Sequence, residues 1–119
     1  MKTKIWLIDD NEDIRNYFTE NISLIDYIDL RVFDSLDAFI EAINGGGKPD
    51  MVFIDGQFDG ATLSGTDIVK RVREKDGNGI MIYGLTNGER MEKEMEDAGA
   101  NGYFHKDDLD LIKNFLSKK

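Results

Sequence analysis

Four apolar residues, Met51-Val52-Phe53-Ile54, run straight into a carboxylate, Asp55. Pro49-Asp50 precedes the run and Gly56 follows it. A short apolar run bounded by turn residues reads as a strand buried on both faces, the kind found in parallel sheets. A charge inside a core is expensive, so Asp55 belongs where the strand leaves the core. In an open α/β sheet the carboxyl ends of the strands form the ligand-binding edge. Three other runs end in the same way. Lys4-Ile5-Trp6-Leu7-Ile8 leads into Asp9-Asp10, Ile80-Met81-Ile82-Tyr83-Gly84-Leu85 into Thr86, and Gly102-Tyr103-Phe104-His105 into Lys106. Three carboxylates, one hydroxyl and one amine are thereby predicted on one rim.

Helix patterns alternate with these strands, which is the arrangement of a doubly wound parallel sheet. Asn11 is placed to cap a first helix running to about Ile22, with Ile14, Tyr17, Phe18 and Ile22 on its buried stripe. Tyr27–Phe33 alternates apolar and charged residues, which predicts an edge strand. Asp34 or Ser35 caps a second helix carrying Leu36, Phe39, Ile40 and Ile43, and Asn44-Gly45-Gly46-Gly47 stops it. A polar loop from Gly56 to Gly65 precedes a third helix, capped by Thr66, with Ile68, Val69 and Val72 inward and Lys70, Arg71, Arg73 and Lys75 outward. Asn87 caps a fourth helix from Glu89 to about Ala98, which Gly99 ends. Only Met91, Met95 and Ala98 form its apolar stripe, so weak anchoring is expected. Asp107 or Asp108 opens the last helix, with Leu109, Ile112, Phe115 and Leu116 inward. The element order is a strand–helix pair repeated five times, a (βα)5 fold.

The 119 residues carry no linker, repeat or low-complexity tract, so one domain is expected over residues 1–119, with no output domain in this chain. A net charge of -9 argues against nucleic acid or an anionic membrane surface as a direct partner. The absence of cysteine and the single histidine, His105, exclude disulfides, thiolate sites and multi-histidine metal sites. The first apolar run is of strand length, too short for a signal peptide core or a membrane span, and the cytoplasm is the default location.

Each rim residue has an ordinary structural role available. Asp-Asp after a strand caps helices, Asp-Gly makes turns, Thr caps and Lys is solvated. Their conjunction at one edge is what points to phosphate chemistry. Asp9, Asp10 and Asp55 held together raise one another's pKa values, and a hard divalent cation such as Mg²⁺ or Mn²⁺ relieves that repulsion. The backbone carbonyl of Gln57 offers a further oxygen. A carboxylate beside such an ion is a nucleophile toward a phosphoryl group, Lys106 neutralises phosphoryl oxygens and Thr86 donates to one of them.

With Asp9-Asp10, Asp55, Thr86, Tyr103 and Lys106 in this order, the chain resembles the CheY-like receiver domain of two-component response regulators over essentially its whole length. The resemblance implies a flavodoxin-like sheet of strand order 2-1-3-4-5. It implies that Asp55 accepts a phosphoryl group from a sensor histidine kinase or histidine phosphotransfer protein. Asp10 and Asp55 would ligate Mg²⁺ directly, Gln57 through its carbonyl and Asp9 through water. Thr86 would then move toward the phosphoryl group and Tyr103 turn inward, altering the face of the fourth helix, fifth strand and fifth helix where a downstream protein docks. Such a chain is a signalling switch, not an enzyme, and catalyses only its own phosphorylation and dephosphorylation.

The chain departs from the family pattern in three places. Lys106 is followed by Asp107 where the family usually has proline, which is expected to loosen the local geometry. Asn87 follows the threonine where a small residue is usual. The loop after Asp55 is longer than usual, and Gly65 aligns with the glycine that precedes the third helix. Gly56, Gln57, Asn87 and Gly88 border the expected pocket.

The same residues allow two other readings. A Mg²⁺-dependent phosphohydrolase with an aspartyl nucleophile needs a similar set, but Asp55-Gly56-Gln57 lacks its Asp-x-Asp and no cap segment is available. A flavin or nucleotide binder would place a phosphate-cradling loop after the first strand, where Asp9-Asp10-Asn11 would repel an anion; a docking module with a silent pocket stays open. Trp6 is assigned to the core, Met91 and Met95 to packing or an adaptable surface, and His105 to a strand end.

Overall fold

The protein is described from a computed structural model, which covers residues 2–56, 64–77 and 79–117. Five strands form one sheet: β1 (Thr3–Ile8), β2 (Ile28–Phe33), β3 (Met51–Asp55), β4 (Met81–Thr86) and β5 (Gly102–His105). They run parallel in the order β2-β1-β3-β4-β5. The helices are α1 (Glu12–Tyr17), α2 (Leu36–Asn44), α3 (Gly65–Asp76), α4 (Glu89–Ala98) and α5 (Leu109–Ser117). The sheet carries a core on each face. Trp6, Ile8, Val52, Ile54, Ile82 and residues of α2, α3 and α4 fill one. Ile5, Leu7, Phe53, Leu85 and residues of α1 and α5 fill the other. Every residue of β3 is buried, which explains its unbroken apolar run. β2 is an edge strand, as its charge alternation predicts, and Trp6 lies in the core against Phe33 and Phe39. Among the described residues, no helix is long and apolar enough to cross a membrane.

Several helix ends differ from expectation. Asn11 does cap α1, accepting from the amides of Asp13 and Ile14. The helix then widens into a π-helical turn over Phe18–Ile22. There the side chains of Thr19, Asn21 and Ser23 donate to the carbonyls of Arg15, Tyr17 and Thr19, competing with the regular backbone ladder. Tyr17 packs half-buried against the core beside Ile14, Phe18 and Ile22, and its hydroxyl donates to Asp110 Oδ1 of α5 at 2.6 Å. Ser35 caps α2.

Ser64, not Thr66, caps α3, through a capping box with Asp67. Asn87 does not cap α4; its N-cap position is Gly88, which has no side chain to offer. Asp107 and Asp108 do stand at the opening of the last helix, in a turn of their own. A 3₁₀ turn, Lys106–Asp108, leads into α5, and His105 Nδ1 accepts from the Asp107 amide at 3.3 Å. Asp107, which stands where the resemblance leads to proline, thus has its N–H held by the histidine two positions earlier.

Arg73 is not an outward-facing residue. Its guanidinium donates to the carbonyls of Gly99 at 2.8 Å, Gly77 at 2.9 Å and Ile80 at 2.6 Å, and to Asn101 Oδ1 at 2.6 Å. Asn101 Oδ1 also accepts from the Ile82 amide. One side chain therefore ties α3 to the segments that lead into β4 and β5.

The narrow stripe of α4 is seated deeply. Met95 is fully buried against Gly84, and Met91 lies against Gly56. A Cβ on either glycine would overlap the facing methionine sulfur. The two glycines are what allow the helix to approach the sheet so closely.

Candidate functional site

The parallel register sets the carboxyl ends of β1, β3, β4 and β5 side by side. Ile8 pairs with Ile54, Asp55 with Leu85, and Thr86 with His105. The next residues along are Asp9, Gly56, Asn87 and Lys106. Thr86 therefore lies between the strand that ends in Asp55 and the strand that leads into Lys106.

Asp9, Asp10 and Asp55 each present a carboxylate oxygen, and these atoms lie within 4.8 Å of one another. Asp9 and Asp55 are buried and Asp10 is exposed. Lys106 Nζ stands 2.7 Å from Asp55 Oδ1 and 3.9 Å from Asp9 Oδ2. The Asp9 backbone is fixed by Arg15, whose Nη1 donates to the Asp9 carbonyl at 3.0 Å. Its Oδ1 accepts from the Asn11 amide at 2.8 Å.

Burial pushes the Asp9 carboxyl up to about 7, opposed by the Asn11 amide; the nearby charge of Asp55 adds to the rise. Asp9 Oδ2 is buried without a hydrogen-bond partner among the described residues. A buried carboxylate with one oxygen that takes no hydrogen bond, grouped with two further carboxylates, is the donor set that a hard dication completes. The residues present therefore fit Mg²⁺.

Gly65 fixes the far wall. Its amide donates to the Gly56 carbonyl at 3.2 Å, and a Cβ there would overlap the Asp55 carbonyl oxygen. Its φ is not positive. The glycine is required by close approach of α3 to the end of β3, not by a left-handed backbone.

Thr86 is fully buried, and its hydroxyl donates to Glu92 Oε1 of α4 at 3.3 Å. Tyr103 pairs in register with Gly84 and is 42% exposed. Gln57 lies outside the described residues. The structure thus brings Asp9, Asp10, Asp55 and Lys106 together, sets Thr86 on the adjoining strand with its hydroxyl toward α4, and leaves the Tyr103 ring at the surface. Sequence reasoning missed Glu92 and Arg15. Glu92 falls outside the apolar stripe that located α4, and Arg15 acts on a backbone carbonyl, which leaves no side-chain pattern.

The response regulator receiver domain profile matches residues 5–116. The chain belongs to the response regulator receiver domain family. Receiver domains are signalling switches of two-component systems. No curated protein matches the chain in sequence. Among solved structures, the signal receiver domain of a DNA-binding response regulator (merR) from Colwellia psychrerythraea 34H superposes with a TM-score of 0.82 at 18% identity, covering 98% of this chain and 97% of that one. The beryllofluoride-activated DrrB receiver domain gives 0.82 at 19% identity over 99% and 97%. The chemotaxis protein CheY4 of Vibrio cholerae gives 0.81 at 20% over 99% and 98%. At these identities the likeness is one of fold, and it extends over the whole receiver.

Proposed function

We propose that this receiver accepts a phosphoryl group on Asp55 from a phosphohistidine of a sensor kinase or phosphotransfer protein in the cytoplasm, and switches a protein-binding face in response. The observation that carries the reading is the Lys106 ammonium 2.7 Å from Asp55 within a trio of carboxylates. A solvated surface lysine has no reason to be held there. A lysine that must follow charge from a carboxylate to its phosphoryl adduct does.

An Asp55 carboxylate oxygen attacks phosphorus, the P–N bond breaks, and the imidazole departs with its electron pair. Asp10 and Asp55, with Asp9 through water and the Gln57 carbonyl, would hold Mg²⁺ or Mn²⁺, which supplies charge neutralisation at the phosphoryl oxygens. Lys106 passes from Asp55 Oδ1 to a phosphoryl oxygen. The Thr86 hydroxyl turns to another. Tyr103 then moves inward, and the face of α4, β5 and α5 changes for a downstream protein. Water attack on the acyl phosphate returns Asp55 to its resting state.

Amide NMR titration with Mg²⁺, then with beryllofluoride, tests the reading in wild type and in Asp55→Asn. Beryllofluoride activates the DrrB receiver domain and needs no cognate kinase. Mg²⁺ is expected to shift residues around Asp10 and Asp55. Beryllofluoride is then expected to shift Thr86, Tyr103 and α4 in wild type only. A rim that responds to neither ligand overturns the proposal.

A further inference from the structure

The switching residue does not wait free in this chain. Thr86 is fully buried, and a buried hydroxyl must find a partner. Among the described residues that partner is Glu92 Oε1, at 3.3 Å. Glu92 lies on α4, one residue from Met91, which packs on Gly56 immediately after Asp55. A hydroxyl has one proton to donate. It cannot donate to Glu92 and to a phosphoryl oxygen at once.

We propose that Glu92 is the resting-state holder of Thr86, a positioning residue whose carboxylate competes with the phosphoryl group for the same hydroxyl. The inference rests on the receiver reading above and adds a residue to it. Release is cheap by construction, because at 3.3 Å the bond is longer than an ordinary hydroxyl–carboxylate bond. Release also acts on α4 directly, since the bond's other end is on that helix. Departure of the Thr86 proton toward Asp55 thus removes one of the ties that hold α4 in its resting seat, beside Met91–Gly56 and Met95–Gly84.

The test uses the whole chain in five forms: wild type, Glu92→Ala, Glu92→Gln, Thr86→Val and the Glu92→Ala/Thr86→Val double variant. Two readouts are taken. One is the Thr86 methyl and amide NMR signal without ligand. The other is the beryllofluoride concentration at half-saturation in Mg²⁺. Glu92→Ala is expected to shift the ligand-free Thr86 signal and to lower the half-saturation concentration by about three- to tenfold, the equivalent of one hydrogen bond. Glu92→Gln keeps an acceptor oxygen and is expected to stay within about twofold of wild type. In the Thr86→Val background, Glu92→Ala is expected to have no effect.

Alanine is favoured in helices, so circular dichroism should show α4 retained. If wild type binds beryllofluoride and Glu92→Ala changes neither readout, the Glu92 role is wrong and the receiver reading stands. An effect of Glu92→Ala that persists with Val at position 86 also overturns it. If beryllofluoride binds no form, the receiver reading fails, and the ligand-free Thr86 signal still decides whether Glu92 holds the hydroxyl.

Discussion

The ammonium of Lys106 lies 2.7 Å from Asp55 Oδ1, and both groups are largely shielded from water. Removing the lysine leaves the buried Asp55 carboxylate without its ammonium. Lys106→Ala is therefore expected to destabilise the metal-free protein at pH 8 by about 3 kcal/mol, with Mg²⁺ recovering part of the loss. Urea unfolding followed by Trp6 fluorescence, with and without Mg²⁺, measures both. A loss unaffected by Mg²⁺ would show that lysine and metal do not share the carboxylates.

Asp9 gives the metal-free protein a stability that falls as pH rises. Its folded pKa is about 7, above the unfolded value of 3.8, so the folded state binds the extra proton between them. Stability is then full below about 4 and declines as pH climbs through the window to about 7. Asp9→Asn removes the titration. Its melting temperature without metal should exceed that of wild type by ~5 °C or more at pH 8, with the gap closing toward pH 4. Mg²⁺ should narrow the gap at pH 8 by stabilising wild type. Parallel melting curves across pH would refute the assignment.

Arg73 donates to three carbonyls and the Asn101 side chain from a planar fork. Lysine cannot reproduce that geometry. Arg73→Ala is expected to cost about 2–4 kcal/mol and Arg73→Lys to recover less than half. Equilibrium denaturation of the three proteins checks the order.

Gly65→Ala places a methyl on the Asp55 carbonyl oxygen, which is backbone and cannot step aside. The variant is expected to lose roughly 2–3 kcal/mol and to weaken beryllofluoride binding at least about tenfold, because α3 must back away and carry the end of β3 with it. Ser64→Ala, which removes only the helix cap, should cost about 1 kcal/mol and leave beryllofluoride binding unchanged. Equal effects on binding from the two variants would contradict the close-approach argument.

The sheet and its rim were legible because buried parallel strands leave continuous apolar runs, and because Asp9, Asp55, Thr86 and Lys106 each stand where such a run stops. Helix starts were less legible. Ser64 and Thr66 are equally good acceptors, and only the tertiary path of the chain decides which meets a free amide. Arg73 reads as a solvated helix residue because two of its acceptors, Gly99 and Asn101, are 26 and 28 residues away. The π-helical turn depends on three small polar side chains taking carbonyls, a competition that a pattern of apolar spacing does not register. Gly65 was located by resemblance, but its reason, the overlap with Asp55, is visible only once α3 and β3 are packed.

α4 is fastened unequally at its two ends. At Gly99, with φ 117°, the chain is held by the Arg73 guanidinium on its carbonyl, while Gly88 at the other end offers no side-chain cap. If the proposed switch loosens the Thr86–Glu92 bond and the Met91–Gly56 seat, the helix becomes a lever with its fulcrum at Arg73 and its moving arm beside Asp55. Ten residues make an arm of about 15 Å, so a swing of about 10° carries the free end about 2.5 Å and the fulcrum end almost nowhere. A partner that reads the first turn of α4 would feel the full stroke, and one that reads the last turn would feel very little of it.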